Sequence, residues 1–253
     1  MKKSLLVLAG AVALAGSATA ADMPAAYKAL PPAPVFTWTG CYLGGNGGGG
    51  RAHDDWQSLA GLTFGPVRAN GWFGGAQGGC DYQVSSFVFG IEGQFDWADM
   101  HGVALITQGG GATGVQLSSG VDRIATATGR IGYAFDHVLL YAKGGAAYAH
   151  YNHELASVNF SSPPVALLAG GQNVTGFVVG GGFEVAIWQN LSFKAEYNYF
   201  DLGTNGAPLN CAGAVCNGGG ANGITFDIHQ RMQTFMLGVN YRFGGLGPLV
   251  AKY

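Results

Sequence analysis

Seven ionisable side chains sit where charge is least expected, among apolar, aromatic and glycine neighbours: Glu92, Arg130, Lys143, Glu184, Lys194, Glu196 and Arg242. Such groups either build a reaction centre or neutralise one another where water hardly reaches. A hydrolase needs a nucleophile and a base within reach on one face. The chain has no GxSxG elbow and no His-x-Ser pair, so no catalytic residue is assigned and an enzyme is not expected. Gly45-Asn-Gly-Gly-Gly-Gly50 fits the dinucleotide pattern GxGxxG, yet Arg51, His53, Asp54 and Asp55 follow it and open no helix. Without a helix N-terminus the anion site is missing, and the segment is expected to be a glycine-rich loop. His150 and His153 are near enough in sequence to approach one metal. Two histidines alone are expected to be solvated loop residues, so no metal and no cofactor are assigned.

Mutual neutralisation requires the seven charges to share one face of some element, and the chain supplies that element by alternation. Phe89, Ile91, Phe95 and Trp97 take one set of positions, and Glu92, Gln94 and Asp96 the other. Phe235, Leu237, Val239, Tyr241 and Phe243 alternate in the same way with Thr234, Asn240 and Arg242. An apolar face backed by polar groups at period two is a strand with lipid on one side and a polar interior on the other. Eight segments qualify: Phe36–Asn46, Gly71–Gln83, Ser86–Trp97, Arg123–Phe135, Val138–Tyr151, Val174–Ala186, Leu191–Leu202 and Ile224–Phe243. None of the nine prolines falls inside one, as strand chemistry asks.

Short turns are predicted near Val84-Ser85, Asp136-His137 and Trp188–Asn190, and long Gly/Asn/Ser-rich loops over about Gly47–Asn70, Ala98–Asp122, Asn152–Asn173 and Gly203–Gly223. Two uncharged stretches, Leu155–Phe183 and Leu202–Phe226, contain prolines, asparagines and glycines and read as loops feeding strands, not as membrane helices. Short connections alternating with long ones are the outer-membrane pattern, with the long loops outside the cell. The expected fold is all-β: an eight-stranded antiparallel transmembrane up-and-down β-barrel over residues 36–243, with short periplasmic turns and long extracellular loops. A soluble β-sandwich would instead show less regular loops and an apolar interior. Trp38, Tyr42, Trp72, Tyr82, Trp97, Tyr133, Tyr141, Trp188, Tyr197, Tyr199 and Tyr241 are expected in interfacial girdles, where amphipathic rings favour the headgroup region.

Period two sends the seven charges inward, and an eight-stranded interior is just wide enough for side chains to fill. Unpaired charge there is costly, so a plugged charge network with no continuous pore is expected. Glu92 and Arg130 are predicted neighbours, and Lys143, Glu184 and Lys194, on successive strands, are predicted to continue the chain of pairs.

Composition agrees. Charged residues are only 10%, against roughly a quarter in soluble domains, while aromatics reach 12%, as suits a chain whose outer face lies in hydrocarbon. Residues 1–20 read as a secretory signal peptide, with Lys2 and Lys3 before an apolar core and Ala18-Thr19-Ala20 as cleavage site. Its removal takes the basic count from 12 to 10 against 14 acids, a net charge of −4, without the basic excess of a nucleic-acid binder. Residues 21–35 hold four prolines and no period, and read as an extended periplasmic tether. Residues 244–253 form a tail.

Export permits disulfides. Cys41 and Cys80 fall on the first two strands, both outward and both near the short-turn end, and Cys211 and Cys216 share one long loop. Pairs 41–80 and 211–216 are expected, although four cysteines allow three pairings.

Phe36-Thr-Trp-Thr-Gly-Cys-Tyr-Leu-Gly-Gly-Asn46, Gly75-Ala-Gln-Gly-Gly-Cys-Asp-Tyr-Gln83, Phe89-Gly-Ile-Glu-Gly-Gln-Phe-Asp-Trp97 and Gly129-Arg-Ile-Gly-Tyr-Ala-Phe-Asp136 resemble the alphaproteobacterial small outer-membrane β-barrel proteins of the porin-family surface antigens. Leu140-Tyr-Ala-Lys-Gly-Gly145, Lys194-Ala-Glu-Tyr197 and Gly238-Val-Asn-Tyr-Arg-Phe243 extend the resemblance over nearly the whole mature chain. It implies an OmpA-type eight-stranded barrel of the bacterial outer membrane, largely structural and often exposed to host immunity, with outer-membrane lipids and lipopolysaccharide as surroundings. It implies that the barrel assembly machinery reads a terminal aromatic, here Tyr241, Phe243 or Tyr253. It further implies that a mature N-terminus beginning Ala21-Asp22 is a substrate for attachment to peptidoglycan. A narrow passive porin and a loop-mediated adhesin are the alternatives.

Overall fold

A computed structural model describes residues 36–56, 66–108, 111–159, 162–211 and 224–243. Eight strands follow in chain order: β1 (Gly40–Trp56), β2 (Val67–Val84), β3 (Phe87–Gln108), β4 (Gly111–Phe135), β5 (Val138–Asn159), β6 (Ser162–Ala186), β7 (Leu191–Cys211) and β8 (Ile224–Phe243). Each pairs antiparallel with the next, and β1 pairs with β8 to close the barrel. Closure answers the bilayer's demand that every backbone donor and acceptor find a partner within the protein. The signal peptide, the tether with Ala21 and Asp22, and the tail with Tyr253 lie outside the described residues.

The outer face has two zones. From the short-turn end, outward positions are hydrophobic: Phe87, Phe89, Ile91, Phe95 and Trp97 on β3, and Phe243, Tyr241, Val239, Leu237 and Phe235 on β8 are all exposed. These runs match the length of a tilted membrane-spanning strand. Just past Trp97 and Phe235 the outward residues are polar, with Asp99 and His101 on β3 and Gln233 and Arg231 on β8, before Val103 and Leu105 again expose apolar side chains further along β3. The strands nevertheless continue. Stretches expected as long loops are largely ladder: β3 and β4 pair as far as Gln108↔Gly111, and β5 and β6 as far as Asn159↔Ser162. Hairpin hydrogen bonds persist beyond the hydrocarbon, where no lipid face is required and the alternation that marks a strand in sequence is lost. Gly45–Gly50 is thus mid-strand in β1, not a loop.

The expectation that strands would exclude proline is corrected as well. Pro163 and Pro164 lie in β6 and Pro208 in β7. The β6 pair falls where the β5–β6 register shifts, and Pro208 falls where β6–β7 pairing lapses between Ala169 and Phe177. Proline is tolerated at both because no ladder donor is needed. Two tight turns carry Ser85 and Asp136 at φ 56° and 54°, the left-handed region that short polar side chains enter most readily.

Seven of the proposed girdle aromatics face out: Trp72, Tyr82, Trp97, Tyr133, Trp188, Tyr197 and Tyr241. Tyr199 is half-buried. Trp38, Tyr42 and Tyr141 are buried inside, because alternation opposes Tyr42 to outward Cys41 and sets Tyr141 in phase with Lys143. The interior is layered. Trp38, Val88, Leu139 and Tyr141 close the short-turn end, charges lie above them, and two apolar clusters fill the far half, one around Met100, Ile124 and Phe200, the other around Trp56, Leu209 and Ile228.

The β1–β8 seam brings backbones close at Gly48, where an added Cβ would clash with the Phe235 carbonyl oxygen and stand 2.8 Å from Met236 Cα. At outward Gly49 the nearest atom would be the Gly71 carbonyl at 3.6 Å. Gly48→Ala is expected to cost about 1–3 kcal/mol by overpacking and to reduce the fraction running as the compact, heat-modifiable form in SDS gels. Gly49→Ala should migrate as wild type.

Candidate functional site: a neutral ion-pair layer across the lumen

The layer is built by strands from every side of the barrel. Arg130 of β4 donates through Nε to Asp81 Oδ1 of β2 at 2.7 Å and through a second, short contact to Asp81 Oδ2, with the Glu184 carboxylate of β6 3.3 Å away. Arg242 of β8 reaches the same two acids, at 2.9 Å and 3.6 Å. Lys143 of β5 sits 3.1 Å from Glu92 and 2.6 Å from Glu196, and Lys194 of β7 sits 2.9 Å and 3.5 Å from the same pair. All these side chains are buried.

The structure brings all seven predicted charges together, with a different wiring. Glu92 and Arg130 are neighbours at 3.9 Å, but Arg130's principal partner is Asp81. Lys143 and Lys194 bind Glu92 and Glu196, not Glu184, although Glu184 and Lys194 are opposite in register. Glu184 turns instead to the two arginines.

Asp81 is the residue that sequence reasoning missed. The seven comprise three acids and four bases. Asp81 pairs with both arginines and brings the layer to four acids and four bases, and its parity beside outward Cys80 already pointed it inward; Asp96 and Asp54 are buried elsewhere in the lumen, bonded by Gln94 and Ser119. Neutral partners finish the layer. Tyr42 and Tyr141 donate to Glu92 and Glu196, each at 2.7 Å, Ser192 donates to Glu184 at 2.5 Å and Asn240 to Glu184 at 3.1 Å. The Arg130 guanidinium stands 4.7 Å over the Tyr42 ring and 5.2 Å over that of Tyr141, within cation–π range. Arg242 Nη1 donates to the Trp38 carbonyl at 2.5 Å, which ties the layer to the short-turn lid.

Cys41 and Cys80 are bonded to each other on the outer face, at opposite positions of β1 and β2. Cys216 lies outside the described residues, and the 211–216 pairing with it. Tyr241 and Phe243 close β8 and face outward. His150 Nδ1 donates to Asn173 Oδ1 on the outer wall, whereas His153 is buried in the lumen. The two face opposite sides of the barrel, so they do not share a metal.

The profile of the outer membrane protein beta-barrel domain family matches residues 6–243. The 31 kDa outer-membrane immunogenic protein of Brucella melitensis is 31% identical over 219 residues, spanning 79% of this chain and 88% of that protein. The 25 kDa outer-membrane immunogenic protein of the same organism is 26% identical over 249 residues, 95% of this chain and 98% of that protein. Among solved structures, OprG of Pseudomonas aeruginosa aligns over 81% of this chain and 97% of its own at 13% identity, with a TM-score of 0.46.

Glu92→Gln would leave Lys143 and Lys194 short of one carboxylate in a water-poor lumen. Its expected cost is about 3–5 kcal/mol, the usual result of breaking a buried pair from one side, measured as a lowered urea midpoint for the barrel folded in detergent micelles.

Proposed function

The chain belongs to the outer membrane protein beta-barrel domain family and resides in the outer membrane, and from that premise we propose that it is a non-conducting structural barrel that supports envelope integrity. The observation that carries this reading is the lumen. Four acids and four bases, Asp81, Glu92, Glu184 and Glu196 with Arg130, Lys143, Lys194 and Arg242, link opposite walls, and apolar clusters lie above and below them. Moving an ion past such a layer means breaking paired charges without water to replace the partner, so the porin alternative is disfavoured. Neither the family description nor the relatives' names denote an enzyme.

Two further roles belong to the same reading. A mature N-terminus at Ala21-Asp22 on the proline-rich segment 21–35 would offer a free, reachable amine for attachment to peptidoglycan. The name "immunogenic protein" borne by both Brucella relatives supports a surface antigen whose long-connection end faces outward, embedded in lipopolysaccharide and inserted by the barrel assembly machinery.

Purified protein in planar bilayers is expected to give no stable single-channel steps, and large steady conductance would reject the sealed lumen. Cell walls boiled in SDS are expected to retain the wild-type chain, and muropeptide digestion to release Ala21 carrying a peptidoglycan fragment. Release of unmodified Ala21 alone would end the tether.

A further inference from the structure

Among the described residues, four arginines face outward, Arg51, Arg68, Arg123 and Arg231, and three of them converge on one groove. Register aligns them. Arg68, His53 and Arg231 stand side by side on β2, β1 and β8, and Asn70, Arg51 and Gln233 form the next row toward the membrane. The groove measures about 630 Å³, with Tyr199 on its β7 side. Two carboxylates stand beside it: Asp55 lies 2.5 Å from Arg231 and 3.1 Å from His53, and Asp201 of β7 is opposite Arg231 in register. Among the described residues Arg51 donates to the neutral Asn70 amide oxygen at 2.9 Å and to no carboxylate. Three guanidinium groups against two carboxylates leave a positive surplus.

The position of the groove names its ligand. One step below Arg51, Gly49 is flanked in register by Trp72 and Phe235, the aromatic edge of the hydrophobic band. The surplus charge thus lies at headgroup height. Below that edge, the outward residues of β1 and β2 are small over two rows, Gly47 opposite Gly74 and Gly45 opposite Ala76, until Leu43, exposed opposite Gly78, ends the run. They form a shallow trough between the bulkier Trp97 and Phe95 of β3 and Leu237 and Val239 of β8. A cationic groove that continues into an apolar trough fits an amphiphile with a phosphorylated head and an acyl tail. Arginine forks bind phosphate oxygens two at a time.

We propose that Arg51, Arg68 and Arg231 bind the phosphorylated sugar headgroup of an outer-leaflet glycolipid, with one acyl chain lying along the β1–β2 glycine trough. This rests on the proposed orientation, with the long-connection end outside. The tight Asp55 contact holds Arg231 in place, so Arg51 and Arg68 are the groups free to turn to phosphate.

The test uses the mature chain folded in detergent, with bisphosphorylated lipid A, its dephosphorylated form and inorganic phosphate as probes, read by native mass spectrometry and titration. Wild type is expected to bind the bisphosphorylated lipid at least about tenfold more tightly than the dephosphorylated one. R51Q/R68Q is expected to lose that preference, and R123Q, at an outward arginine on β4, two strands from β2, to keep it. Gly47→Leu should weaken both lipids alike. Three results would overturn the site: no phosphate preference in wild type, equal weakening by R123Q, or inorganic phosphate displacing the lipid at comparable affinity. Heat-dependent migration in SDS gels is read first for every variant. Its absence in wild type would sink the barrel itself, whereas an intact barrel without phosphate preference sinks only the groove. Should R51Q/R68Q fail to fold, the wild-type comparison of the two lipids still decides.

Discussion

A strand in hydrocarbon must have its backbone donors and acceptors paired on both edges, and everything else in this molecule descends from that requirement. Pairing β1 with β8 removes the last free edges. Eight strands then set an interior about one side chain deep from each wall. Within that width, charges from opposite walls cannot avoid one another, and bulk water cannot screen them. In the ion-pair layer four acids therefore meet four bases, while Asp54 and Asp96, buried elsewhere in the lumen, are bonded by Ser119 and Gln94. The same tightness explains Gly48, where the seam leaves no room for a Cβ beside Met236.

The layer is not simply a source of stability. Desolvating eight charges is expensive, and well-packed hydrophobic residues of similar volume often serve as well or better. What the ionic layer adds is discrimination. A one-residue slip of any strand would carry its charges into lipid and its hydrophobic residues into the lumen, so wrong registers are penalised on both faces. Tyr42 and Tyr141 sharpen this by donating to Glu92 and Glu196 while their rings carry Arg130. The apolar clusters in the far half have a different role: they let the barrel continue as a packed body after its outer wall has left the bilayer.

The outer wall divides by solvent. Up to Trp97 and Phe235 it meets hydrocarbon, and beyond them it presents arginines, histidines and acids on strands that are still hydrogen bonded. Continuing the ladder past the membrane gives those polar side chains fixed spacing, as in the Arg68–His53–Arg231 row. The same residues on free loops would not share a height or a face.

Alternation by itself determined the all-β class, the number of strands, the three short turns and the inward set of seven charges, because period two in hydropathy is a local property of a strand between two solvents. It also placed Cys41 and Cys80 outward on neighbouring strands, where they are bonded. Applied to every position, it would have turned Tyr42, Tyr141 and Asp81 inward as well. The pairing itself was beyond it. Glu184 lies opposite Lys194 in register yet serves Arg130 and Arg242, since long side chains choose partners across the lumen, and that choice depends on barrel width and stagger. Strand length was equally hidden. Once a strand leaves the bilayer, only the neighbouring strand's hydrogen bonds keep it extended, and no pattern in its own residues records their presence.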